Sequence, residues 1–260
     1  MLQYIESMIL GIIQGLTEFL PISSTGHLVL FGKIFGLREA GLLFDTLLHL
    51  GTLIAVVIVY WEEVKYILMN PFSKMTRLLV VGTIPTAIIG LTFKDYFEEI
   101  SRTGQTIGFE FIATGFIIWA VESLRRGTRR FDQINYTDAL LIGTLQGAAI
   151  LPAISRSGLT IAGALMRGID RAEAARFSFL LSLPAILGAT VLQTKDLLEQ
   201  PLESGQMMPM ILGAVFAGIS GYFAIRWMIR IISNGSMKGF AVYVWILGAI
   251  ILGLQYFGMW

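Results

Sequence analysis

Long apolar runs govern what this chain can fold into. Six stretches, about 43–61, 77–94, 107–122, 175–193, 209–231 and 239–258, have or nearly have the roughly 20 apolar residues that one bilayer-crossing helix needs. Hydrophobic residues make up 55% of the chain and charged ones 14%, against about 25% charged in an ordinary soluble domain. The solvent this sequence suits is lipid, where backbone groups must be satisfied within helices, and six spans are the expected minimum. The N-terminal MLQYIESMIL lacks the basic region and small-residue cleavage site of a signal peptide, and Glu6, Gln14 and Glu18 interrupt its apolar run, so it is read as retained.

Several chemistries are excluded early. Without cysteine there is no disulfide, thiolate nucleophile or iron–sulfur ligand, and with only His27 and His49 a zinc cage is not expected. Any metal would be a hard ion bound through oxygen. The net charge of +1 is spread over short loops, with no basic stripe to follow a phosphate backbone, so nucleic acid is not an expected partner.

Basic residues cluster in every second connection: Lys65, Lys74 and Arg77, then Arg125, Arg126, Arg129 and Arg130, then Arg167, Arg171 and Arg176, then Arg226, Arg230 and Lys238. These connections are assigned to the cytoplasm. The intervening ones carry few cations (Lys33, Arg38, Lys94, Arg102, Lys195), and that around 194–208 is acidic, with Asp196, Glu199 and Glu203. They are assigned outward.

This alternation makes 43–61 run inward, so residues 1–42 begin and end outside, as a hairpin or with a seventh crossing. Pro21 and Ser23-Ser24-Thr25-Gly26-His27 favour a hairpin. Its second helix, about 24–36, rises only about 20 Å, too short to cross, and a re-entrant element over 3–36 is expected. The same pattern recurs over 137–167, where Pro152 and Ser155-Arg156-Ser157-Gly158 divide two apolar helices with both ends cytoplasmic.

A shift of 132 residues lays Gln14-Gly15 on Gln146-Gly147, and Ser23, Thr25 and Gly26 on Ser155, Ser157 and Gly158. Each unit is a hairpin plus three spans, and an odd number of crossings inverts the second copy. The predicted fold is a single all-α integral membrane domain over 1–260, with repeat 1 at 1–122 and repeat 2 at 136–260 in inverted topology. The two polar hairpins should face each other.

Gln14 and Glu18 are four apart and share a helix face, with Thr17 beside them. An intramembrane carboxylate is costly unless paired, hydrated or neutralised, which makes Glu18 a functional candidate; a cap or cross-link of the hairpin is the plainer reading. Ser24 stands where a helix N-cap is expected, and the amides of Thr25, Gly26 and His27 would make a positive end that attracts anions. Ser155-Arg156-Ser157-Gly158 repeats that device and adds a guanidinium suited to bidentate phosphate binding. The plainer reading there is a structural cap with Arg156 paired to Glu18, which is compatible with phosphate binding. His27, three residues after Ser24, could manage a proton. His49 lies in the apolar stretch LLHLGTLIAVV, which holds no carboxylate, and is left out of the site.

The strings QGLTEFLPISSTGH at 14–27 and LPAISRSGLTIAG at 151–163 resemble the two signature motifs of the undecaprenyl-diphosphate phosphatase (bacitracin-resistance) family. FDTLLHLGTLIAVV and EAARFSFLLSLPAILGA extend the likeness over essentially the whole chain. The resemblance implies hydrolysis of undecaprenyl diphosphate, or a similar polyprenyl diphosphate, to the monophosphate and inorganic phosphate, recycling the lipid carrier of envelope polymers. It implies interlocked inverted repeats in the plasma membrane with the active site facing outward. Glu18, Ser24, His27 and Arg156 match family residues assigned to catalysis, and Gln14, Ser23, Ser155 and Ser157 match its polar pocket; Thr25, Gly26 and Gly158, at the two helix starts, are further substrate-binding candidates. It also implies a divalent cation, magnesium or calcium, for which Glu18 is the candidate ligand. Two departures matter: Gln14 stands where many members carry glutamate, removing one anionic ligand and weakening the case for a protein-held metal, and Ala153 replaces the usual glycine after the motif proline.

The rival class is a transporter or lipid flippase, because inverted repeats with paired re-entrant hairpins also build midplane transport sites. Placing Glu18 and His27 on one hairpin and Arg156 on the other favours an enzyme. The prenyl chain length and the oligomeric state are not fixed by the sequence, and a homodimer stays open.

Overall fold

The computed structural model describes residues 2–35, 42–124, 127–197 and 207–260. Expectations resting on Gly36, Arg38, Arg125, Arg126, Glu199 and Glu203, and on the side chains of Arg102, Lys195 and Asp196, lie outside the described residues. The described chain is helical, with no strand beyond one isolated bridge between Arg129 and Ile169. Helices α1 (Leu2–Phe19) and α2 (Ser24–Ile34) form the first hairpin, followed by α3 (Leu42–Val59), α4 (Trp61–Met69), α5 (Lys74–Thr92), α6 (Lys94–Thr103) and α7 (Ile107–Glu122). Helices α8 (Tyr136–Ala148) and α9 (Arg156–Met166) form the second hairpin, followed by α10 (Arg171–Leu197), α11 (Met207–Asn234) and α12 (Lys238–Tyr256).

Four described helices, α5, α10, α11 and α12, are long and apolar enough to cross a membrane, and α3 with α4 makes a fifth candidate bent by 87°. These match five of the six expected spans. The sixth, 107–122, is α7, whose 16 residues rise about 24 Å against a hydrocarbon core of about 30 Å. The expectation of six full-length spans is corrected there.

Small residues decide which helices meet. A Cβ on Gly11 of α1 would run into the Gly213 carbonyl of α11, and one on Gly143 of α8 would run into the Gly82 carbonyl of α5. Without a hydrophobic drive between helices in lipid, such backbone approach supplies the dispersion contact that holds them. α1 therefore packs on α11 and α8 on α5, while α3 packs chiefly on α11 and also on α10, and α7 packs on α12. Phe19 and Phe179 meet edge to face at 5.5 Å in the core that supports both hairpins.

Among the described loop cations, Arg129, Arg167, Arg171 and Arg176 form ion pairs. Asp138, fully buried, accepts from Arg129 at 2.5 Å and Arg167 at 2.6 Å, and Arg171 pairs with Glu122 at 2.8 Å. Arg129, one of the basic residues assigned to a cytoplasmic connection, is tied to the start of α8.

Candidate active site

Each hairpin turn is built around its proline and closed by a serine cap. Ser23, not Ser24, is the N-cap of α2: its hydroxyl accepts from the Gly26 amide at 3.4 Å. Ser155 caps α9, accepting from the Gly158 amide at 3.0 Å. Ser23 is the one non-glycine residue at positive φ among those described (φ 67°, ψ 112°), a conformation costing on the order of 1–3 kcal/mol. It is held from both sides, because its hydroxyl donates to the Pro152 carbonyl at 2.6 Å and its own carbonyl accepts from His27 Nδ1 at 2.5 Å. The second turn reciprocates, Ser157 Oγ donating to the Leu20 carbonyl at 3.0 Å. The two tips are thus bonded to each other's backbone.

With Ser23 occupied as the cap, Ser24 is released for another partner. Its hydroxyl donates to Glu18 Oε2 at 2.5 Å, the same oxygen accepts from Gln14 Nε2 at 3.1 Å, and Arg156 Nη2 donates to Glu18 Oε1 at 2.6 Å. The Glu18–Arg156 pair anticipated from the sequence is formed across the two tips. Glu18, Ser24, Thr25, Ser155 and Arg156 line one cavity of about 440 Å³, so the starts of α2 and α9 open on a shared space. Arg156 Nη1 is buried with no hydrogen-bond partner. An unmatched buried guanidinium N–H is costly and favours an anion beside it.

His27 is placed elsewhere. Its ring is 2% exposed, does not line the cavity, and has both nitrogens occupied: Nδ1 by the Ser23 carbonyl and Nε2 by the Tyr243 hydroxyl of α12 at 2.8 Å. Gly26 and Gly158 act through space: a Cβ on Gly26 would meet Phe111 and Ala153, and one on Gly158 would meet Ser155.

Three features escaped the sequence reading. His49, on α3, lines the cavity with Nε2 3.7 Å from Glu18 Oε2; its Nδ1 faces the Asp45 carbonyl at 2.8 Å, which makes Nδ1 the donor. An ionisable pair one helical turn apart, Asp45 and His49, in an otherwise apolar span was the signal for it. Glu110 and Thr114 of α7 brace the second tip, Glu110 accepting from the Ala153 amide at 2.6 Å and Thr114 donating to the Ala153 carbonyl at 2.9 Å. Tyr243 braces the first tip through His27.

The donor set does not suit a protein-held divalent cation. Both Glu18 oxygens are engaged, one by a guanidinium, and among the described residues no three His, Cys, Asp or Glu side chains converge. Such ions need several oxygen ligands.

The model of the family described as "Bacitracin resistance protein BacA" matches residues 7–250. The chain is 55% identical to undecaprenyl-diphosphatase 4 of Bacillus thuringiensis (strain Al Hakam) over 98% of both chains. It is 52% identical to an undecaprenyl-diphosphatase of Carboxydothermus hydrogenoformans over 96% of this chain and 97% of the relative. To one of Halothermothrix orenii it is 44% identical, over 96% and 98%. A match that takes in both hairpin tips and most of every described helix, on top of the tip geometry, makes the chain a member of the bacitracin resistance protein BacA family.

Proposed function

We propose that this protein hydrolyses undecaprenyl diphosphate, or a closely similar polyprenyl diphosphate, to the monophosphate and inorganic phosphate, and so returns the lipid carrier to envelope polymer synthesis. The carrying observation is the Arg156–Glu18–Ser24 chain across two hairpin tips, with both helix starts opening on one cavity. The names borne by its relatives support the same reading.

Arg156 and the first-turn amides of α2 and α9 hold the diphosphate. The Ser24 oxygen, or a water that it orients, attacks the terminal phosphorus. A bond forms from that oxygen to phosphorus, the bridging oxygen leaves with the prenyl monophosphate, and the nucleophile's proton passes to Glu18; where Ser24 is the nucleophile, a water then attacks the phosphoserine, breaking its O–P bond to release inorganic phosphate and restore the hydroxyl. Phosphoryl transfer asks mainly for positioning and charge stabilisation, both strengthened in a low-dielectric recess. His27 keeps the first tip in shape rather than carrying the proton. A divalent cation, if used, arrives with the diphosphate.

The halves 1–122 and 136–260 are read as inverted repeats with the site facing outward. The exchanged packing supports this: each hairpin's first arm lies on the second long helix of the other half, α1 on α11 and α8 on α5. Transport or flipping is not favoured, because the reactive groups are divided unequally between the tips.

The test is phosphate release from undecaprenyl diphosphate in detergent by the wild type, Arg156→Ala and Ser24→Ala. Release that collapses in both folded variants supports the site; release undiminished in Arg156→Ala would sink it.

A further inference from the structure

The cavity has a second end. Beyond the polar tips its wall passes to Ala87 and Leu91 of α5 and to Gly188, Ala189 and Leu192 of α10. These five residues are exposed, so packing does not close the cavity wall at them, and we read that side as an opening between α5 and α10. No charged residue occurs in 78–93 or 177–194, so the walls that α5 and α10 give the opening are apolar, while Lys94 and Glu98 of α6, paired at 3.7 Å, line the same cavity beyond them.

Gly188 is unlike the glycines that dock helices. A Cβ on Gly11 or Gly143 would strike a backbone carbonyl, whereas one on Gly188 would meet nothing within 4 Å. Across the gap, a Cβ on Gly90 would meet only the flexible end of Ile150, at 3.2 Å. Glycine inside a helix weakens it, and no close packing at Gly188 returns that loss. What the missing side chain leaves is width, and a polyprenyl chain with regular methyl branches needs width.

We propose that the opening between α5 and α10 carries the prenyl chain of the substrate, and that Gly188 sets its bore and thereby the preference for a long chain. The inference rests on the phosphatase reading. It commits to substrate hydrocarbon as the occupant because the opening is continuous with the cavity that holds Glu18, Ser24 and Arg156. A diphosphate seated at the tips would have its chain leave through this gap into lipid, with no water to cross.

Two measurements on the full chain in detergent test this. In Gly188→Phe, the ratio of kcat/KM for undecaprenyl diphosphate over farnesyl diphosphate should fall by about ten-fold or more, as a few methylenes lose their buried path. An unchanged ratio, whether both rates hold or both fall, overturns the passage. Because the chain has no cysteine, Gly188→Cys gives a single maleimide target. Undecaprenyl diphosphate should slow its labelling while inorganic pyrophosphate does not. Labelling unaffected by the lipid, or slowed equally by a phospholipid at the same concentration, overturns the proposal. Wild-type protein that hydrolyses neither diphosphate overturns the phosphatase reading instead, and the labelling experiment still decides the passage.

Discussion

The Ser24 hydroxyl lies 2.5 Å from Glu18 Oε2, six residues back across the Pro21 turn, while the other oxygen of the same carboxylate takes a bond from Arg156 at 2.6 Å. One carboxylate thus fixes a nucleophile and an anion-binding cation that come from opposite halves of the chain. Glu18→Gln keeps the shape but loses the charge. It should lower kcat/KM by about a hundred-fold or more, the range for losing a positioned base, with a smaller change in thermal midpoint. Steady-state kinetics alongside a melt separate the two effects.

His27 and Tyr243 make a different prediction. Because the ring is committed to the Ser23 carbonyl and the Tyr243 hydroxyl, Tyr243→Phe should cost about 1 kcal/mol of stability and change kcat by only a few-fold. Its pH profile should follow that of the wild type. A profile whose shape changes in Tyr243→Phe would return His27 to the chemistry.

Helix contact through glycine can be tested where backbone stands in the way. Gly143→Val meets the Gly82 carbonyl, which has no flexible end to move, and should cost at least about 3 kcal/mol or abolish folded protein. Gly32→Ala, whose Cβ meets nothing within 4 Å, should be neutral or stabilise α2 by about 0.5–1 kcal/mol. Detergent-exchange melts distinguish them.

Asp138 gives the molecule an acid limit. Burial pushes its pKa up, but hydrogen bonds from Arg129 and Arg167 outweigh that and hold it below its ordinary value of 3.8. The stability contributed by its charge is complete above that ordinary value and is lost as pH falls through the lowered one. Asp138→Asn should lower the midpoint at neutral pH and flatten its fall in acid. An acid limb identical to that of the wild type would assign the sensitivity to another group.

For the cation, wild-type protein without substrate should bind manganese weakly in a spin-resonance titration. Gln14→Glu adds a second carboxylate one helical turn from Glu18 and should bind it more tightly, by about ten-fold or more. Equal affinity in both would show that position 14 does not govern metal capture.

Much of this was legible in the chain. Pro21 and Pro152, each inside an apolar run and followed by serines, marked both hairpins, and a costly carboxylate in one tip with a guanidinium in the other pointed to their pairing. The orientation of His27 was not legible, because the cap lies at Ser23 rather than Ser24. A cap one residue earlier puts His27 one full turn above Ser23, over that carbonyl. His49 reaches Glu18 through packing of α3 beside α1, which no local pattern encodes. The glycine contacts left a trace that was passed over: Gly11 and Gly143 are related by the same 132-residue shift as the tips.

The exchanged docking of α1 on α11 also bears on biosynthesis. α1, with Gln14 and Glu18 on its buried face, lies against residues 207–234, which are made long after it. Until then the first hairpin lacks its main neighbour and the site lacks a closed back wall. A nascent chain stalled before Met207 should therefore be a substrate for membrane quality control, and activity should appear only once residues 207–234 have been inserted.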